Sequence, residues 1–210
     1  SPWDPIAGDY RTADGWIRLH TNAPRHRHAA ITALGCAENR EHVEQAVLHR
    51  NADELEADIV TRGGCAAAMR TLEDWQASPA GTVVRNEPLI IWQVEDSDTP
   101  FRNLENSPKS PLAGLKVLDL TRVLAGPVAT RFLAQLGADV LRIDPPVWDE
   151  PGVFPEVMLG KRSARLDLSK HDDRSIFETL LAECDVLVHG YRPGALDNLG
   201  YDPGTRHRLN

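Results

Sequence analysis

Apolar and polar positions divide the chain into two differently patterned halves. In the first, Trp16-Ile-Arg-Leu-His-Thr21 alternates, as a half-buried strand does. Asn22 and Pro24 then open a helix that runs to about Leu34 and stops at Gly35. Arg40–Leu48 sets Val43, Val47 and Leu48 on one face. Asn51 caps Ala52–Thr61, where Leu55, Ile59 and Val60 recur at helical spacing, and Gly63-Gly64 ends it. Thr71-Leu-Glu-Asp74 carries a capping pattern for a short helix. Thr82–Val84 and Leu89–Val94 read as strands. The pattern predicts a small α+β domain over 1–95.

The second half has a βαβ rhythm. Lys116–Leu120 is a strand, Pro127–Leu136 a helix stopped by Gly137, and Asp139–Ile143 the next strand. Ala164–Leu168, helix His171–Glu183 and Asp185–His189 continue the alternation, with a short helical segment from Gly194. Strands alternating with helices predict an α/β, Rossmann-like parallel sheet. The alternation is still running at Arg206-His-Arg-Leu-Asn210, so the expected sheet is incomplete and the chain part of a larger one. Between the halves, residues 96–113 are polar and rich in Pro and Ser, which predicts a linker. The second domain is therefore expected over 114–210.

The 210 residues are 41% hydrophobic and 26% charged, ordinary globular values that exclude a wholly disordered chain. No apolar run approaches the ~20 residues of a membrane helix. The net charge of −8 argues against nucleic acid as a general partner. Cys36, Cys65 and Cys184 make no CxxC and no zinc spacing, which predicts reduced structural thiols in the cytoplasm. The start, Ser1-Pro2-Trp3, shows no signal peptide. His26 and His28 lie on different sides of a helix, so no metal site is expected. Trp3, Trp16, Trp75 and Trp92 are expected in the core or at a domain interface. Asp119, inside an apolar strand, is expected to be a structural acid bonded to nearby backbone.

In open α/β sheets, ligands bind beyond the carboxyl ends of the strands. Three such ends carry suggestive residues. Thr121-Arg-Val-Leu-Ala-Gly-Pro127 joins an Arg to a helix N-terminus, which suits an anion, although a tight turn explains it too. Leu159-Gly-Lys-Arg-Ser163 offers two adjacent cations, or a solvated basic loop. His189-Gly-Tyr-Arg-Pro-Gly194 presents an aromatic face beside a guanidinium, or a Pro-Gly loop. Together they suit a nucleotide with several phosphates, which the residues alone do not name.

The same blocks resemble the class III CoA-transferases (the CaiB/BaiF family). Gly114–Pro127 with Leu136–Asp144 resembles the family's opening, Gly160–Leu168 its second signature, and Ala182–Gly200 its third. Gly15–His20 and Gly63–Trp75 are similar to the family's small domain, which usually follows the large one and here precedes it, as in a rearranged or tandem member. The resemblance implies coenzyme A as the cofactor-like substrate, held by Arg122, Leu124, Ala125, Lys161, Arg162, Gly190, Tyr191 and Arg192. His189-Gly190-Tyr191 stands where members often have Glu-Asn-Phe or Glu-Asn-Tyr. The implied activity is transfer of CoA between carboxylic acids through an aspartyl-CoA thioester, with acyl-CoA and carboxylic acids as substrates. The nucleophilic Asp is expected beyond residue 210, so no catalytic residue is assigned within the chain. An acyl-CoA racemase or epimerase and an inactive CoA-binding fragment or partner subunit are the alternatives. The resemblance also implies an interlocked homodimer; no nucleic-acid, membrane or metal partner is expected.

Overall fold

The computed structural model describes residues 3–94 and 109–209. The chain forms two compact units, Ser1–Glu95 and Asp96–Asn210. Most of the segment read as a linker, residues 96–108, lies outside the described residues. Residues 109–113 are turns with a single bridge residue, Ser110, in the second unit, where the Leu112 amide donates to the Leu136 carbonyl at 2.9 Å.

The first unit begins with strands β1 (Gly8–Arg11) and β2 (Trp16–Leu19). Helices α1 (Pro24–Leu34), α2 (Arg40–Leu48) and α3 (Ala52–Thr61) follow. Strand β3 (Ala66–Ala68) then closes an antiparallel sheet of order β1-β2-β3. Ile17 and Leu19 are fully buried while Trp16 is 48% exposed, the alternation that the sequence shows. Val43 and Val47 of α2 and Leu55 and Ile59 of α3 meet Ile17 and Leu19 in one core. Each such side chain contributes roughly 1.5–3 kcal/mol by leaving water. The Asn51 side chain caps α3 by accepting from the amides of Asp53 and Glu54.

Two expected strands of this unit are absent. Thr82–Val84 lies in α5 (Pro79–Asn86), which follows α4 (Leu72–Ala77). Ser78 caps α5 by accepting from the Gly81 amide at 3.0 Å, and Pro79 stands in its first turn. A cap and a pre-set proline φ outweigh the β preference of Val83-Val84. Leu89–Val94 forms no strand, and Leu89 is 100% and Trp92 83% exposed. Trp3, Trp16 and Trp75 are exposed as well, so none of these four tryptophans is a core residue of its unit.

The second unit runs β4 (Lys116–Asp119), α6 (Ala125–Gln135), β5 (Asp139–Asp144), α7 (Phe154–Val157), β6 (Arg162–Arg165), α8 (His171–Glu183), β7 (Val186–Val188) and, after a 3-10 turn at Asp197–Leu199, α9 (Pro203–Leu209). The four strands form one parallel sheet of order β6-β5-β4-β7. The fold is thus α/β and Rossmann-like, preceded by a small α+β unit. Successive residues of β4 go to opposite faces. Val117 packs with Leu133 and Ala134 of α6, while Leu118 packs with Phe177 and Leu181 of α8. A parallel strand covered on both faces carries consecutive apolar residues, here Val117 and Leu118. Strand order reverses at β4, between β5 on one side and β7 on the other. Such a switch point opens a crevice beyond the strand ends.

Candidate functional site

The crevice is built on Asp119, the last residue of β4. Its buried carboxylate accepts from the Thr121 amide at 2.9 Å, the Thr121 hydroxyl at 2.5 Å and the Thr130 hydroxyl at 2.6 Å. It also accepts from the Lys161 ammonium at 2.9 Å. Lys161 donates further to the Pro127 carbonyl at 2.8 Å and to Thr130 Oγ1 at 2.6 Å. Both charged side chains are 0% exposed. Asp119 is the structural acid expected, with side-chain partners as well as backbone. Burial pulls the Lys161 pKa below the ordinary lysine range, against the opposing pull of Asp119. All three ammonium protons have protein acceptors. Lys161 therefore ties the first turns of α6 to β4; it does not present its charge to the crevice.

Gly126 makes the same junction close. A Cβ there would lie 2.4 Å from Thr121 Cβ, a distance no side chain tolerates, so only glycine lets the helix start so near the strand end. Ala125 and Gly126 head α6 with amides that have no acceptor within the helix. The helix dipole adds positive potential there.

Arg122 and Tyr191 meet across the switch point. Arg122 leaves the end of β4 and Tyr191 the end of β7, and Arg122 Nη1 donates to the Tyr191 hydroxyl at 3.0 Å and to the Leu120 carbonyl at 3.3 Å. The guanidinium carbon lies 5.2 Å from the Tyr191 ring centre and 5.3 Å from that of Trp148. The Arg122 side chain is 15% exposed. Burial pushes the Tyr191 hydroxyl pKa up. His189 stacks on Tyr191 at 6.1 Å between ring centres. Gly190 and Arg192 flank them, exposed, and Leu124 and Ala125 are exposed on the α6 side.

Arg162 is elsewhere. Its guanidinium, 68% exposed, makes a two-pronged pair at 2.8 Å with Asp139, the first residue of β5. Arg122 is 3.9 Å from Asp144, the last residue of β5. Five steps along the strand set Asp139 and Asp144 about 16 Å apart. Of the residues implied to hold CoA, the structure gathers Arg122, Leu124, Ala125, Gly190, Tyr191 and Arg192 at one sheet end. It sets Lys161 beneath them and Arg162 apart.

Sequence reasoning missed a second charged group at the crevice. Arg142 of β5 is fully buried and makes bidentate contact with Asp144, at 2.8 and 3.1 Å. Its Nη2 also donates to Glu150 at 2.6 Å. Burial disfavours its charge, but these hydrogen bonds more than compensate and its pKa lies above the ordinary value. The available signal was an Arg and an Asp two apart in an apolar strand, which puts them on one face. A cavity of about 90 Å³ beside Asp139, Arg162 and Glu183 lies at the other end of the sheet, and one of about 290 Å³ beside Asp4, Arg27 and Glu38 belongs to the first unit. Among the described residues no cluster of three or more His, Cys, Asp or Glu could hold a metal. No helix among them is long and apolar enough to cross a membrane.

Comparison with known proteins bears on the same region. Residues 112–210 match the family model of CoA-transferase family III. The chain is 30% identical over 210 residues to an acyl-CoA transferase of Gibberella moniliformis, an alignment that covers 91% of this chain and 37% of that protein. That alignment includes residues of both units. An acetyl-CoA:oxalate CoA-transferase of Acetobacter aceti is 40% identical over 115 residues, covering 49% of this chain and 30% of its own length. A formyl-CoA:oxalate CoA-transferase of Escherichia coli is 36% identical over 105 residues, covering 44% and 25%. A crystal structure of a CaiB/BaiF family protein from Brucella suis matches with a TM-score of 0.42 at 34% identity, covering 49% of this chain and 31% of that one. The chain thus spans well under half the length of these relatives.

Proposed function

We propose that this chain, whose residues 112–210 belong to CoA-transferase family III, holds a CoA thioester at the β4–β7 switch point, and that the protein it represents moves CoA between carboxylic acids. The observation that carries the reading is the Arg122–Tyr191 hydrogen bond across that switch point, beside the head of α6. A guanidinium pairs with phosphate oxygens, an aromatic face stacks on a purine, and the amides of Ala125 and Gly126 suit an anion. Leu124, Gly190 and Arg192 border this surface. Arg162 enters the reading only through the resemblance, because its guanidinium lies at the other end of β5.

In this reading the transfer is covalent. An aspartate carboxylate attacks the acyl-CoA carbonyl, the C–S bond breaks, and CoA leaves as thiolate while a mixed anhydride forms. The thiolate then attacks the aspartyl carbonyl, releasing the acyl group as a carboxylate and leaving aspartyl-CoA. The acceptor carboxylate attacks that thioester and expels CoA thiolate, forming a second mixed anhydride. The thiolate then attacks the acceptor's carbonyl, and the anhydride C–O bond breaks to release the aspartate carboxylate and the new acyl-CoA. Each step divides one difficult exchange into easier ones. The nucleophile is proposed to lie in sequence beyond residue 210. We further propose a cytoplasmic, interlocked homodimer. Oxalate, which the names of two relatives carry, is the first acceptor to assay.

The test is calorimetric titration of the chain with CoA and with ATP. CoA should bind saturably and more tightly than ATP, and Arg122→Ala should weaken it by about tenfold or more, as loss of one charge-assisted contact does. ATP binding as tightly as CoA would overturn the assignment.

A further inference from the structure

Loop 145–153 closes over the crevice with its own carboxylate. Glu150 Oε1 accepts from the Val123 amide at 2.7 Å, and Oε2 accepts from Arg142 at 2.6 Å. The Glu150 side chain is 8% exposed. Val123, a β-branched residue, is held there at φ +67°, a left-handed conformation that costs about 1–2 kcal/mol. Arg142 Nη1 is buried with no hydrogen-bond partner. The same loop lays Trp148 over the Arg122 guanidinium.

The charges nearby explain the arrangement. Arg122, Arg142 and Lys161 face Asp119, Asp144 and Glu150, so the group is balanced with Glu150 in place. Asp119 and Asp144 end β4 and β5 and are fixed by the sheet. Glu150 belongs to a loop whose Pro146, Val147, Asp149, Pro151 and Gly152 are exposed. Withdrawal of Glu150 leaves one uncompensated positive charge, an Arg142 with unused donors and the Val123 amide. A phosphate oxygen can accept from all of them.

We propose that Arg142 is a second anion-binding cation of this crevice, and that Glu150 is a resident carboxylate which a phosphate group of the ligand displaces. The inference deepens the CoA reading and rests on the strand ends being an anion site. It makes Glu150 a competitor: the unliganded chain holds its cradle filled, and binding opens loop 145–153.

The experiment uses CoA and inorganic pyrophosphate as separate probes. Glu150→Gln keeps an oxygen for the Val123 amide but removes the charge facing Arg142. It should bind both probes about tenfold more tightly than wild type, the worth of one hydrogen bond to a charged group. Hydrogen exchange on the wild-type chain gives a second readout that needs no variant. Saturating pyrophosphate should speed exchange of the amides in 145–153 and slow that of Ala125 and Gly126. Unchanged or weaker binding by the variant, slower loop exchange, or no binding of either probe overturns the proposal. If pyrophosphate shows the gain and CoA does not bind, the CoA reading fails and the displaced carboxylate stands. If CoA binds wild type and variant equally, the reading stands and this proposal fails.

Discussion

Lys161 and Arg162 are consecutive cations, yet they occupy opposite physical regimes. Lys161 lies toward the α6 face of the sheet, with its side chain 0% exposed and its protons on Asp119, Thr130 and Pro127. Arg162 lies toward the α8 face, 68% exposed and paired with an Asp139 that is also in water. Side chains one residue apart at a strand leave on opposite faces, so a single step in sequence separates a buried framework charge from a screened surface pair. Residue type alone made both look like phosphate ligands.

The largest expected effect breaks the buried side. Asp119→Ala strands the Lys161 ammonium and should destabilise the second unit by about 3–5 kcal/mol. Adding Lys161→Met should recover much of that loss in a denaturant titration. If the single variant costs no more than a surface change, the pair is not the tie described. Gly126→Ala tests the same junction sterically. Its methyl group would sit 2.4 Å from Thr121 Cβ, and the overpacking should cost about 1–3 kcal/mol by thermal unfolding. On the exposed side, Arg162→Ala should change stability by less than about 1 kcal/mol, and added salt should erase the difference. Weaker CoA binding by Arg162→Ala would sharpen the contrast differently, by moving Arg162 into the ligand's reach.

The smallest effect is a pH dependence. Burial, and then Arg206, hold the His189 pKa below its ordinary value. The unfolded chain therefore takes up this proton first as pH falls, and stability should drop as pH passes down through about 6.5 toward the folded pKa. Above that range the group contributes no slope. His189→Gln should flatten the melting temperature between about pH 7 and pH 5; an identical slope in the variant would remove His189 as the cause.

The parallel unit was legible because its apolar runs, turns and caps agree with one another. Val117, Leu118, Val140 and Ile143 are all buried in the strands that their pattern predicts. The family signatures lie in the same stretch. Strands β1 and β3 were not legible. Gly8-Asp-Tyr-Arg11 and Ala66-Ala-Ala68 have little intrinsic strand preference and pair through the neighbouring β2. At the site, Arg122 and Tyr191 were readable as strand-end residues. The burial of Lys161 and the closure by Glu150 were not, because both depend on which face a side chain takes and on where a loop returns.

One feature of β6 reaches beyond binding. Among the described residues this strand pairs only with β5, and all four of its residues, Arg162-Ser-Ala-Arg165, are exposed. An open edge is a template on which another chain can add a strand and begin to aggregate. Arginines at both ends make this edge a poor template, since a flat apolar partner would have to strip water from two guanidinium groups. Arg162, which lies apart from the crevice, thus places a charge where an added strand would have to pair.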